Sequence, residues 1–302
     1  MGWGFSLLSA DELAWAALDK PILSNNALYA DVTLKWMYTL LGHTDHLDQS
    51  NSDKPASRMV DAKPGYLSSP GNAATTFTIT IDASASPITF DWFGIINHNL
   101  HTLACTALVL EIADDGDFTT NKKTLSTTNI STALTSDRRF ADLTLTDGSD
   151  PSRYANVPFA RILITTSSGI PRIGQIILGR RRQQPYLPNM NWDPSQSETL
   201  ADDFTSKSGV ISRLSRGRGQ RQMVATFRHD TDALRSDITS WWEDIEGGEQ
   251  PFFYIDEPAT NPMDFWMMYL DAPELDYPWT LPATRDLSIV AAEQGTTFFS
   301  QE

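Results

Sequence analysis

The sequence predicts a mainly β protein of two domains with one main helix, and three observations carry that reading. Residues 90–110, FDWFGIINHNLHTLACTALVL, read strand, corner, strand. Phe90, Trp92, Phe93, Ile95 and Ile96 are aromatic or β-branched, which suits a buried pleated strand. Residues 159–179, FARILITTSSGIPRIGQIILG, form a matching pair of strands around a turn at Gly169-Ile170-Pro171. Finally, in residues 230–248 Leu234, Ile238, Trp241, Trp242 and Ile245 recur at helical spacing.

The bounds agree. The 302 residues suffice for two cores, and 40% hydrophobic with 20% charged residues is globular composition. A net charge of −15 opposes stable nucleic-acid binding, because phosphates are repelled. No stretch has the length of a membrane span. The single cysteine, Cys105, lies in an apolar run and reads as a small buried hydrophobe. The first residues lack the basic charge of a secretory signal. Gly2 with Ser6 fits the loose myristoylation pattern, but residues 1–24 read more simply as an arm docked on its own domain or a neighbour.

Along the chain, residues 9–18 suit a short helix with a capping box from Ser9 and Glu12. Residues 24–48 hold Val32, Leu34, Trp36, Met37, Leu40 and Leu41. Residues 49–75 are rich in Ser, Asp, Pro, Gly and Asn and read as a long surface connection. Residues 76–82, TFTITID, alternate strictly and predict a strand with one wet face. In the corner 97–99, Asn tolerates the left-handed backbone and bonds its own chain, so Ile96 and Leu100 are expected buried and Asn97 and Asn99 bonded to backbone. Asp114-Asp115-Gly116-Asp117 is a turn. Residues 114–158 read mostly as loop, with one strand near Leu143 and Leu145. Arg180-Arg181-Arg182 with Pro185 and Pro188 mark a boundary. Beyond it, VISRLS and QRQMVATFRH read as two strands around Arg216-Gly217-Arg218-Gly219. Asp230 caps the helix and Gly247-Gly248 stops it. Strands follow at 251–256, 265–271 and 286–292.

The HNL-ended strand, the next strand closed by an acidic turn, and then RILI and RIGQIILG together resemble the discoidin-like jelly roll of tail-tip proteins of long-tailed phages. The resemblance covers residues 25–188. Residues 189–302, with an Arg-rich hairpin, one helix ending in Gly-Gly and the strand PFFYIDEP, are similar to the tail-tube-like α+β sandwich of distal tail and tube proteins. Many distal tail proteins carry these domains in the reverse order. The resemblance implies a structural part of a phage tail tip or baseplate, either the distal tail ring or another minor tail protein. It implies partners too: further copies in a ring such as a hexamer, and the tube, hub and tape-measure proteins. The place implied is the virion, after synthesis in the host cytoplasm. The alternative is a carbohydrate-binding module for host glycans. Discoidin-like sandwiches often bind sugars through loops at one end, and Trp36, Tyr38 and Tyr66 are the aromatic residues expected there.

Charge is segregated. Residues 180–229 hold nine Lys/Arg against four Asp/Glu, whereas residues 230–302 hold two against sixteen. A ring explains this if Arg213, Arg216, Arg218 and Arg221 of one subunit lie on the acidic face of the next. Among the acids, Asp256, Glu257, Asp264, Asp271, Glu274 and Asp276 are expected to line a channel, where negative charge keeps DNA from sticking.

Chemistry is sparse. His43 with His46 and His98 with His101 form two HxxH pairs, which read as loop and corner histidines rather than metal ligands. Asp114, Asp115 and Asp117 lack the EF-hand spacing. Cys105 has His101 nearby, but no third group orients it. No GxSxG, Walker A, dinucleotide-binding or zincin motif is present. The expectation is no enzyme, no cofactor and no metal.

Overall fold

The computed structural model describes residues 5–7, 20–29, 31–38, 48–130, 139–147, 152–167, 169–184, 189–190, 201–205, 211–215, 222–229, 232–270, 279–281 and 284–293. The strands, in chain order, begin with β1 (Phe5–Leu7), β2 (Ile22–Ser24), β3 (Thr33–Tyr38), β4 (Thr76–Asp82) and β5 (Ile88–Phe90). Next come β6 (Trp92–His98), β7 (Ala107–Ala113), β8 (Lys123–Thr128), β9 (Arg139–Asp142) and β10 (Ser152–Val157). After β11 (Phe159–Thr165), β12 (Ile173–Gly179) and β13 (Arg181–Gln183) follow β14 (Asn189–Met190), β15 (Ala201–Thr205), β16 (Ile211–Ser215) and β17 (Gln222–His229). The helix α1 (Asp232–Asp244) precedes β18 (Phe252–Ile255), β19 (Phe265–Leu270), β20 (Trp279–Leu281) and β21 (Thr284–Glu293).

The first half is a β-sandwich. One layer is the sheet β3-β4-β11-β7-β8; the facing layer consists of β1-β10-β5 and β12-β6-β9. Alternation explains the first layer. Phe77, Ile79 and Ile81 of β4 and Ala160, Ile162 and Ile164 of β11 are buried, with Thr78 and Thr80 of β4 and Arg161 and Leu163 of β11 on the opposite face. Trp36, Leu108, Leu110 and Ile112 join the same core.

The facing layer obeys a different rule. Every residue of β6 and of β12 is buried. Phe93 and Ile95 enter the sandwich core, whereas Trp92 and Ile96 point the other way, into a second core with Phe253, Ile255, Phe265 and Met267. A sheet covered on both faces needs apolar side chains on both, so the two runs read as continuous rather than alternating. The second cover is the large sheet β13-β2-β18-β19-β21-β17-β14, with β20 beside β21. On the far side of that sheet lies α1, whose Ile238 and Trp241 pack with Phe252, Tyr254, Trp266 and Met268. Gly247 at φ 67° and Gly248 at φ 94° end this helical stretch in the left-handed region, as Gly-Gly requires.

The large sheet takes in β2 and β13, which flank strands β3 to β12 in sequence, and hydrogen-bonds β2 to β18. Alternation along β13 divides the arginines between layers. Arg181 Nε lies 3.3 Å from Asp91, which is fully buried and also meets Arg153 Nε at 3.0 Å. Arg182 is 1% exposed and faces Asp237 at 3.2 Å and Asp244 at 3.1 Å on α1. At the meeting point of the layers, a Cβ on Gly179 would collide with the Trp92 indole nitrogen and with Ser24 Oγ. Only glycine permits that approach, and Trp92 Nε1 uses the space to donate to Ser24 Oγ at 2.7 Å.

Three sequence expectations are corrected. Residues 114–158 hold three strands, β8, β9 and β10, rather than mostly loop. Their Thr and Ser count as polar in a hydropathy pattern, yet branched Thr fits a pleated surface. Leu143 and Leu145 are buried but lie beyond the end of β9. The third concerns the basic hairpin: β16 pairs with β15, in register Asp203↔Arg213, and β17 pairs with β21. The link between β15 and β16 is short, so local closure wins, while Met223 of β17 is drawn into the core under α1. The expected helix at 9–18 lies outside the described residues.

Candidate functional site

Strand directions gather the connections after β3, β6 and β11 at one end of the sandwich. The connection 48–75 is tied down there by its own polar groups. Asp48 Oδ1 accepts from the Trp36 N–H at 3.0 Å, and Gln49 Oε1 from the Tyr38 N–H at 2.7 Å. Ser68 exchanges backbone bonds with Ile173 at 2.7 and 3.0 Å. Ala56 and Met59, in a 3-10 turn, are buried as anchors. A loop held this way keeps its outward side chains in place.

The expected aromatic residues separate here. Trp36 is fully buried and donates from Nε1 to Ser68 Oγ at 2.8 Å, so it belongs to the core. Tyr38 is buried, with its hydroxyl accepting from Asn72 Nδ2 at 2.6 Å. Tyr66 is 59% exposed and stands with the Arg58 guanidinium 5.8 Å from its ring centre. Of the three, Tyr66 alone presents an exposed ring, with the Arg58 guanidinium lying over it.

The corner next to this loop is tied to the backbone around it. Asn97 adopts φ 55° and donates from Nδ2 to Pro64 O at 2.8 Å. Asn99 donates to Ile170 O at 3.1 Å and accepts from the Arg172 N–H at 2.7 Å. Ile96 and Leu100 are buried. His98 Nδ1 accepts from the Leu100 N–H at 3.2 Å, and its ring meets His101 edge-on at 6.0 Å. Among the described residues no group of three or more His, Cys, Asp or Glu is placed to hold a metal. His43 and His46 lie outside them.

Cys105 is buried, and burial pushes its thiol up to about 11, so it is a thiol rather than a nucleophilic thiolate at neutral pH. In the acidic turn, Asp115 Oδ1 accepts from the Thr119 and Thr120 N–H groups at 2.9 and 3.0 Å. The Thr119 hydroxyl and these backbone bonds hold its carboxyl down at about 2. That carboxylate is spent on its own turn.

Of the residues assigned to a subunit contact, Arg213 lies in β16; Arg216, Arg218 and Arg221 lie outside the described residues. Of the channel acids, Asp256 accepts from the Tyr254 hydroxyl at 2.8 Å, Glu257 is exposed, and Asp264 pairs with Arg139 of β9 at 3.4 Å. Asp271, Glu274 and Asp276 lie outside the described residues.

No protein-family model matches the chain, and no curated protein matches it. Solved structures similar to it include chitosan-binding module 1 of a chitosanase/glucanase from Paenibacillus sp. IK-5, at 14% identity and TM-score 0.35, covering 51% of this chain and 98% of that one. Another is CpGH89CBM32-5 from Clostridium perfringens in complex with GalNAc-β-1,3-galactose, at 12% identity and TM-score 0.35, covering 51% and 99%. The family 32 carbohydrate-binding module of NanJ from C. perfringens, in complex with galactose, has 10% identity and TM-score 0.35, covering 52% and 99%.

Proposed function

We propose that the sandwich is a carbohydrate-binding module whose loop end, at Tyr66 and Arg58, takes a glycan. The observation that carries this reading is the exposed Tyr66 ring on a tied-down loop, while Trp36 and Tyr38 are committed to the core. An aromatic face stacks on the apolar face of a sugar ring, and a guanidinium beside it donates to hydroxyls. The test is calorimetric titration with galactose, GalNAc-β-1,3-galactose and chitosan oligomers, followed by a wider glycan panel. Tyr66→Ala is expected to weaken the best ligand about tenfold, the worth of one good ring contact. Saturable binding to no glycan, or binding indifferent to Tyr66→Ala, defeats the reading.

A second reading, a structural subunit of a phage tail tip, draws support from a different feature. Among the described residues, β15 and β16 pair only with each other, and a lone two-stranded ribbon is marginal in water. It lies in the basic stretch, so the acidic segment of another copy is a suitable cover. Sedimentation in solution distinguishes the readings: a ring subunit self-associates in a salt-sensitive way, and a monomer at all concentrations speaks against it.

A further inference from the structure

The loop that carries Tyr66 also reaches the large sheet. Ala62 packs on the second core, the one that holds Phe265 and Met267, and Tyr269 packs on the same core from β19. Phe265, Met267 and Tyr269 share one face of that strand by alternation. The first two are buried under the sandwich, whereas Tyr269, near the end of the strand, is half-buried. Its ring therefore stands at the rim of the seam between the sandwich and the large sheet.

Asp61 stands on the sandwich side of that rim. It follows the 3-10 turn Ala56–Val60, and its Oδ1 accepts the Lys63 N–H at 2.9 Å. Partial burial raises its carboxyl, and the charges of Lys63 and Arg58 oppose that rise. Across the seam, burial and then the charge of Asp61 push the Tyr269 hydroxyl up. The two groups are close, yet they are not bonded to each other. Among the described residues Asp61 forms no ion pair, and the Tyr269 hydroxyl takes no hydrogen bond while staying open to solvent. Arg58, which lies over the Tyr66 ring at 5.8 Å, completes the line. Tyr66, Arg58, Asp61 and Tyr269 thus form one strip that starts on the sandwich and ends on the large sheet.

The chemistry of the strip fits a chain of sugars better than a single one. Tyr66 offers a ring face. Beyond it, Arg58 donates, the Asp61 carboxylate accepts and the Tyr269 hydroxyl does both, which matches hydroxyl groups that donate and accept in turn. Asp61 lies between two cations, so the strip has no strong charge of one sign to favour an ionic ligand over a neutral one.

Resting on the reading of Tyr66 as a sugar platform, we propose that the glycan site extends over the seam, with the unit next to the one on Tyr66 bonding to Asp61 and Tyr269, so that the ligand is a neutral oligosaccharide of two or more units. The test uses the full chain and calorimetric titration with two matched pairs: galactose with GalNAc-β-1,3-galactose, and N-acetylglucosamine with its β-1,4 trimer. In the pair that binds, the longer sugar is expected to bind about tenfold tighter or more than the monosaccharide. Tyr269→Phe keeps the ring on the core, and Asp61→Asn keeps the acceptor for Lys63. Each should cut the advantage of the longer sugar about fivefold and leave monosaccharide affinity unchanged. Tyr66→Ala should weaken both members of the pair alike. Equal affinity for the two lengths, or an advantage unchanged by Tyr269→Phe or by Asp61→Asn, overturns the extension and leaves the Tyr66 site standing. Monosaccharide binding indifferent to Tyr66→Ala defeats the Tyr66 reading instead, and binding of neither pair defeats both.

Discussion

Asp91→Ala is expected to lower the unfolding free energy by about 3–5 kcal/mol, the cost of breaking a buried ion pair from one side. Asp91 is fully buried between two guanidinium groups, Arg153 at 3.0 Å and Arg181 at 3.3 Å, and it also accepts the Arg181 backbone N–H at 2.8 Å. Removing the carboxylate strands the Arg181 guanidinium, whose side chain is only 7% exposed, and orphans a backbone donor as well. Most of the loss therefore comes from what is left behind. Arg181→Met in the same chain should recover part of it, because the stranded charge is then gone. Urea unfolding of the two variants measures both effects. A loss below about 1 kcal/mol for Asp91→Ala would place the cluster in the class of solvated surface pairs and refute this account.

The second large effect is expected at Trp92. It projects from β6 out of the sandwich and packs edge-on against Phe253 at 6.1 Å and Phe265 at 5.7 Å of the large sheet. Trp92→Ala should cost about 3–5 kcal/mol through the cavity it leaves. Because the ring joins two cores, the shape of the transition should change too. The parent chain should unfold in one calorimetric step, and the variant in two, with the large sheet melting first. A single step shifted uniformly would show that the remaining contacts suffice to hold the layers together.

Much of this arrangement is legible in the sequence, and the reasons differ by element. The strand TFTITID is half buried, so strict alternation announces it. WFGIINH and IGQIILG show continuous apolar character, which marks strands covered on both faces but does not name the cover. The Asn-rich corner is readable because few residues other than glycine accept its backbone. The strands at 22–24 and 181–183 are not readable. They are three residues long, and one carries arginines, which in a sequence signify surface. The burial of those arginines depends on Asp91, Asp237 and Asp244, all distant in the chain. Tyr66 stands out as an aromatic residue in a polar stretch, and the Trp36 neighbourhood marks it as core.

Because β2 and β13 are neighbours in one sheet, the sandwich departs from that sheet and returns to it at adjacent points. This sets an order of assembly. Joining those two strands across an unfolded intervening chain would cost about 4–5 kcal/mol in closure entropy. A finished sandwich already holds its ends side by side and removes that cost. During synthesis β2 emerges early and must wait for β13 and β18, so the large sheet completes last. Until it does, the outer face of β6 and β12 stays bare, and so do Phe253, Ile255, Phe265 and Met267 once they are made. A lesion deep in the sandwich therefore prolongs the exposure of two sticky surfaces at once. Its first visible consequence is aggregation of newly made chains, ahead of any measurable change in the ligand affinity of the molecules that finish folding.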